Sequence, residues 1–373
     1  MDKIQGNNTL IAHAPTQEEY KDLVKFLDQN LRPQNKWSIT SEYPTALNQE
    51  NIHNLRIITE GNQVLSHAAL KPHIIKTPVA IFKAGAIGSV VTHDKYRNQG
   101  LSRTVLNDCI DLARKQDCDF AILWTNLHEF YQKIGFALAG YEINLAIDSN
   151  FDVTRDTQYK ILKTPNVDPM ALHKLMSQHT VSTFRNPDEV RKYLNIPNSN
   201  VYTLWEANGA LGAYCVEGKG ADLGGYIHEW GGGVSKIMQL LKFIQEDQKR
   251  EIKIIAPNHS QNLIDECVEK GAIRTEGFLG MIKLINEEAF FKKIHRHARM
   301  DLGITNLVLE KQGDEYWFGT TSQYLNTKDP IDIIPLMFGP TKISDVKGFE
   351  PSTVQVLEKI FPMPFWLGGW DSI

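Results

Sequence analysis

Hydrophobic positions change their period several times along residues 1–150, and each change marks an element. From Thr16 to about Asn30, Leu23, Phe26 and Leu27 fall on one helical face, and Thr16 followed three residues later by Glu19 has capping-box spacing. Short apolar or alternating runs at Leu10–Ala14, Leu55–Thr59, Val64–Leu70, Val79–Lys83 and Ala86–Thr92 read as strands. Leu101–Gln116 returns to helical spacing, with Leu101, Val105, Leu106, Cys109, Ile110, Leu112 and Ala113 in one stripe. Phe120–Trp124 is a compact strand, Glu129–Lys133 a short helix ended at Gly135, and Phe136–Ile147 a last strand or pair. This alternation predicts an α/β unit on a mixed sheet.

Residues 151–286 repeat the order of elements, though not the residues. A helix at Pro169–Gln178 precedes strands at Val201–Trp205, Leu211–Glu217 and Gly225–Glu229, then a long helix at Val234–Glu246. A strand at Ile252–Ala256, a helix at Gln261–Lys270 and a strand near Phe278–Leu284 complete the copy. Where the first copy has a charged turn, the second has Gly231-Gly232-Gly233, so it is expected to keep the scaffold without the chemistry. Residues 287–373 form a smaller α+β unit. It has helices at Glu287–Arg299, Pro330–Phe338 and Pro351–Phe361, with strands at Thr305–Lys311 and Glu315–Thr321. The tail from Phe361 to Ile373 holds Phe365, Trp366 and Trp370, and such an apolar end is expected to pack inside the protein.

Composition narrows the function classes. With 373 residues, 42% hydrophobic and 23% charged, the chain can bury ordinary cores in two or three domains. A formal charge of −4 and no basic run argue against a nucleic-acid binder. Cys109, Cys118, Cys215 and Cys267 are dispersed, with no CxxC pair, which fits a reducing compartment and supplies no zinc set. No secretory signal pattern or membrane-length apolar run stands out, so a cytoplasmic location without membrane association is expected.

Two stretches carry candidate chemistry. In Ser89-Val-Val-Thr-His-Asp-Lys-Tyr-Arg-Asn-Gln-Gly-Leu-Ser-Arg103, a buried strand ends, a turn with Gly100 follows, and a helix begins. That arrangement offers free backbone N–H groups and a helix dipole to an anion, with Arg97 and Arg103 to neutralise charge. It is neither a Walker A motif nor GxGxxG. One strand later, Trp124-Thr-Asn-Leu-His-Glu-Phe-Tyr-Gln-Lys-Ile-Gly-Phe136 sets Asn126 and Tyr131 at a strand's C-terminal end, where open α/β sheets bind ligands. Taken singly, the first stretch also reads as a plain capped turn and Tyr131 as packing. His228-Glu229-Trp230 lacks a second His at the HExxH spacing and reads as strand-end packing. Trp37 lines an amine cleft or covers the core, and His295 and His297 read as a solvated face.

The Arg97-x-x-Gly100-x-Ser102 turn, followed after one helix and one strand by Phe130-Tyr-x-Lys-x-Gly-Phe136, resembles the GNAT acetyltransferases. With the repeat and the third unit, the whole chain resembles their multi-domain enhanced-intracellular-survival type. The resemblance implies a GNAT catalytic domain at 1–150, a degenerate GNAT-like domain at 151–286 and a sterol-carrier-like unit at 287–373, which is short for that domain. It implies acetyl-CoA as co-substrate and no metal. Val90, Val91 and Thr92 would hold the pantetheine through their backbone. Arg97, Asn98, Gln99, Gly100, Leu101, Ser102 and Arg103 would hold the pyrophosphate, and Asn126 and Leu127 the cofactor further along. Tyr131 matches the family's general acid. In this type the terminal carboxylate, here that of Ile373, serves as base; Asp371 or a water is the alternative, with Trp366 and Trp370 as plain anchors.

The expected activity is N-acetyl transfer to a small-molecule or peptide amine by direct attack in a ternary complex. The alternative is a non-catalytic sensor or carrier of CoA or lipid. The resemblance leaves homo-oligomers open.

Overall fold

The computed structural model describes residues 10–373; residues 1–9, on which part of the N-terminal reading falls, lie outside the described residues. The first half runs α1 (Glu19–Leu31), α2 (Ile39–Glu42), β1 (Leu55–Glu60), β2 (Gln63–Lys76), β3 (Ile81–Thr92), α3 (Leu101–Lys115), β4 (Phe120–Leu123), α4 (His128–Gln132) and β5 (Ala137–Ile147). The second begins with β6 (Lys160–Lys163), α5 (Pro169–Met176), β7 (Ser182–Thr183) and α6 (Pro187–Leu194). It continues through β8 (Asn200–Trp205), β9 (Leu211–Lys219), β10 (Asp222–Gly232), α7 (Val234–Gln248), β11 (Ile252–Ala256), α8 (Gln261–Glu269) and β12 (Ile273–Leu284). The last region holds α9 (Glu287–Met300), a meander of β13 (Leu307–Gln312), β14 (Glu315–Thr320) and β15 (Gln323–Thr327), then α10 (Ile334–Phe338) and α11 (Pro351–Leu357).

One 12-stranded sheet carries both halves, ordered β1-β2-β3-β4-β12-β5-β11-β10-β9-β8-β6, with β7 on β2. The halves exchange their last strands. β12, from the second half, lies antiparallel between β4 and β5, while β5, from the first, lies between β12 and β11. Neither half has a complete sheet without the other's strand.

Side-chain alternation in β4 builds two layers. Ala121 and Leu123 face the α3 stripe of Val105, Cys109 and Ile110. Phe120 and Ile122 face the last region, where the Phe120 ring meets Phe338 at 5.2 Å and Phe365 at 5.0 Å. In the second half α7 and α8 cover one face, and α5 and α6 the other. All four cysteines are free and buried. Among the described residues no helix is long and apolar enough to cross a membrane.

Several elements differ from the sequence reading. Leu10–Ala14 forms no strand, only an isolated bridge between His13 and Ile57. Val79–Lys83 and Ala86–Thr92 merge into β3, because β2 pairs along it from Lys76↔Ile81 to Ser66↔Thr92. The capping box is present: the Thr16 N–H donates to Glu19 Oε2 at 2.8 Å and the Glu19 N–H to Thr16 Oγ1 at 3.2 Å. His295 is half-buried with Nε2 2.9 Å from the Leu309 carbonyl, tying α9 to β13 instead of facing solvent alone.

Candidate active site

The first site element is the turn from β3 into α3. Asn98 (φ 62°) and Gly100 (φ 82°) are left-handed, and nothing would meet a Cβ at Gly100, so the glycine serves conformation and close approach, not packing. The helix ladder starts with the Thr104 N–H donating to the Gly100 carbonyl at 3.1 Å. The N–H groups from Asn98 to Arg103 precede it and, among the described residues, take no protein acceptor. Thr92 Oγ1 lies 2.7 Å from Ser102 Oγ and 2.8 Å from Ser66 Oγ, so hydroxyls pin the helix start to the strand end. The Ser102 side chain is thus used internally and only its N–H remains open. Arg97 pairs with Asp94 at 2.7 Å, both exposed, and Arg103 is exposed as well. Such a pair constrains Arg97 weakly. Together these groups fit the pyrophosphate of a nucleotide cofactor.

The second element is a gap between strands. β3 and β4 pair in parallel only from Ala84↔Phe120 to Ala86↔Ile122, after which β3 runs on to Thr92 paired with β2 and not with β4. Ser89 (φ 51°) bulges, its carbonyl accepting from His67 Nδ1 at 2.8 Å, and the β2 register shifts there. Burial lowers the His67 pKa to about 4, so the ring is neutral. Val90, Val91 and Thr92 therefore have no β4 partner on the side facing away from β2. Asn126 and Leu127 lie exposed at the end of β4, before α4.

Tyr131, on α4, packs edge-on to Phe130 and Phe136 and is 6% exposed. Burial pushes its pKa up to about 12, so the phenol holds its proton at neutral pH. No hydrogen bond engages its hydroxyl among the described residues.

The third element is the chain end. A Cβ on Gly88 of β3 would overlap the Ile373 carboxyl, so the last residue sits directly on the sheet face beside the gap. Behind it, Trp370 stacks between Tyr193 (5.5 Å) and Tyr214 (6.3 Å). Asp371 is 1% exposed and accepts from Arg185 Nε at 3.0 Å and Nη2 at 2.6 Å, and from the Tyr193 hydroxyl at 3.2 Å. Burial alone would raise the Asp371 pKa, but Arg185, helped by His73, overrides it and holds the carboxyl down to about 2. Arg185 also forks onto Glu229, both bonds 3.0 Å. Glu229 is thus an ion-pair partner within the packing. Among the described residues no cluster of His, Cys, Asp or Glu is placed to hold a metal.

Next to Ile373 opens a cleft of about 290 Å³ lined by Tyr43, Trp124, Glu142, Asp222 and Trp366. Aromatic faces with carboxylates suit a cation, and Lys219, which also lines the cleft, already holds the Tyr43 face with Nζ 4.8 Å from its centroid. Burial raises the Glu142 pKa, and Asp222 accepts from Arg32 at 2.7 Å. Trp37 is not among the lining residues; its indole N–H donates to Glu42 at 2.6 Å.

Sequence reasoning missed Gly88, Glu142, Arg185 and Lys219. Only Gly88 carried a signal, a glycine inside an apolar strand, which marks a bulge or close approach. The others depend on contacts between distant segments.

Residues 13–139 match the sequence profile of the acetyltransferase (GNAT) domain. No match is found among curated proteins. An Enterococcus faecalis protein described as a probable N-acyltransferase superposes with a TM-score of 0.65 at 13% identity, covering 98% of this chain and 97% of its own. A GCN5-related N-acetyltransferase of Anabaena variabilis gives 0.64 at 15%, covering 97% and 99%. Eis1 of Mycobacterium abscessus gives 0.62 at 8%, covering 97% and 98%. At these identities the likeness is one of fold, and it extends over the whole chain. Residues 13–139 thus match a GNAT acetyltransferase domain, and the chain as a whole shares its fold with these multi-domain proteins, Eis1 among them.

Proposed function

We propose that this protein transfers an acetyl group from acetyl-CoA to a primary amine of a small molecule or peptide, by direct attack in a ternary complex. The catalytic unit is residues 1–150, the degenerate unit 151–286 and the tail-bearing unit 287–373. What supports this most is one contact, the Ile373 carboxyl seated on Gly88 at the strand gap beside the aromatic, acidic cleft.

The chemistry assigns a task to each group. Acetyl-CoA brings the thioester. Asn98 to Arg103 hold its pyrophosphate, chiefly through N–H groups, with Arg97 and Arg103 adding charge, and Asn126 and Leu127 border its path. The backbone of Val90, Val91 and Thr92 holds the pantetheine, and an N–H of β3 polarises the carbonyl as negative charge grows on its oxygen. An alkyl amine with pKa ~10.4 arrives protonated, so a base must remove a proton before attack. Ile373 is that base. Asp371 is a poor alternative, since Arg185 and Tyr193 occupy its oxygens. Tyr131 returns a proton to the departing thiolate, a task suited to a buried phenol that stays protonated.

Titration with acetyl-CoA and longer acyl-CoAs, followed by thiol release with an amine library, tests this reading. Binding of one acetyl-CoA per chain is expected, and Tyr131→Phe should lower kcat ~10²–10⁴-fold with cofactor affinity unchanged. Binding without turnover of any amine would instead favour a carrier or sensor.

A further inference from the structure

The tail is held from a second point that the reaction scheme leaves unused. Lys219, the last residue of β9, is 2% exposed, and its ammonium is spent on the end of the chain. It donates to the carbonyls of Gly369 at 2.7 Å and Ser372 at 2.5 Å, with the Trp370 carbonyl at 3.4 Å and Ser372 Oγ at 3.2 Å. The Tyr43 ring covers it, with Nζ 4.8 Å from the centroid. Burial lowers its pKa to about 7, against the pull of Asp371 and Asp222. A buried lysine is costly to keep, which makes its placement informative.

Arg185, Asp371 and the stacked Trp370 already anchor the tail as far as residue 371. Lys219 acts beyond that point. The Ser372 carbonyl belongs to the peptide that joins Ile373, and a peptide unit is planar. Fixing that oxygen fixes the plane from which the last residue departs. Only the two torsions of Ile373 then remain, and its side chain packs against two apolar clusters.

We propose that Lys219 is a positioning residue for the chemical step: by gathering the final carbonyls it sets where the Ile373 carboxyl stands against Gly88. The second half of the chain, without a cofactor turn of its own, thereby contributes to the reaction of the first. This role rests on reading the Ile373 carboxyl as the base. A misplacement of ~1 Å at a reacting group costs ~10²-fold in rate.

The test is a two-by-two comparison on the full chain, with and without two glycines appended after Ile373, and with and without Lys219→Met. With the native end, Lys219→Met should lower kcat ~10–100-fold while KM for acetyl-CoA stays within about twofold. In the extended chain, where the carboxyl is already displaced, the same substitution should change kcat less than about twofold. Equal losses in both backgrounds, or none with the native end, overturn the role of Lys219. An extension that leaves kcat intact removes the terminal base itself, and the role of Lys219 with it, and this is visible without any lysine variant. Acetyl-CoA titration and circular dichroism check that each variant is folded. If Lys219→Met is not, Lys219→Gln, which keeps a neutral donor, takes its place, with kcat expected between the two and the same failing outcomes.

Discussion

The two halves solve the same backbone opening in opposite ways. In the first, β3 pairs with β4 as far as Ala86↔Ile122 and then runs on without it towards a 15-residue helix, α3. In the second, β10 pairs with β11 at Tyr226↔Lys253 and Ile227↔Ile254, then runs on into a 15-residue helix, α7. Yet Trp230 spans the second gap, its indole N–H donating to the Ile255 carbonyl at 3.0 Å, and Gly369 of the tail lies on His228. At the first gap the chain end sits on Gly88. The turns differ too: Arg97, Asn98 and Gly100 against a bare Gly232-Gly233. A parallel strand pair that separates offers unpaired backbone, and that backbone must meet either a ligand or protein. Here one half meets the chain end at its opening, and the other uses its copy to seat the tail that reaches the first.

The sharpest way to break this contrast is to fill the first gap. Gly88→Ala puts a methyl where the Ile373 carboxyl sits, while the φ of Gly88 demands no glycine. We expect kcat to fall ~10²–10⁴-fold, the usual worth of a positioned base, with acetyl-CoA affinity nearly unchanged. Steady-state kinetics beside calorimetry would check it, and an unaltered kcat would mean that the carboxyl has no part in the rate.

Emptying the second gap should act on stability instead. Trp230→Ala removes a buried indole, a change costing ~3–5 kcal/mol in cores. Because Arg97 and Gly100 have no counterparts there, acetyl-CoA stoichiometry should stay at one per chain. Chemical denaturation and titration together test this; a second equivalent bound by the variant would show that Trp230 alone closes a working site.

How much of this contrast the sequence exposes depends on the range of the contacts. The Arg97–Ser102 turn and α3 are local, built from a left-handed glycine and a helical stripe, and both are legible. So is the missing turn at Gly231–Gly233. The strand exchange is not, because β5 and β12 pair across more than a hundred residues and nothing in either run names its neighbours. Length also misled: the small residues Ala84 and Gly85 separate two expected strands, whereas β2 carries the pairing straight through them. Arg185 and Lys219 carry no local signal, since their partners Asp371 and Ser372 lie far along the chain. A terminal base at Ile373 is an expectation from resemblance alone, and the only local sign of its contact with Gly88 is a glycine inside an apolar strand.

The smallest effect separates the ion pairs of the two regions. Arg97–Asp94 is exposed, and such pairs contribute ~0–1 kcal/mol. Arg185–Asp371 is buried, and its carboxyl is held at about 2, below the ~3.9 of an unfolded aspartate. As pH falls, the unfolded chain takes up this proton first, so the contribution is complete above pH ~4 and is lost on acidification towards pH ~2. The amount is on the order of 1–3 kcal/mol. Melting wild type and Asp371→Asn from pH 7 downward should show the stability gap between them narrowing below pH ~4, whereas Asp94→Asn should track wild type throughout. A gap that stays constant with pH would mean that Asp371 anchors the tail by shape alone.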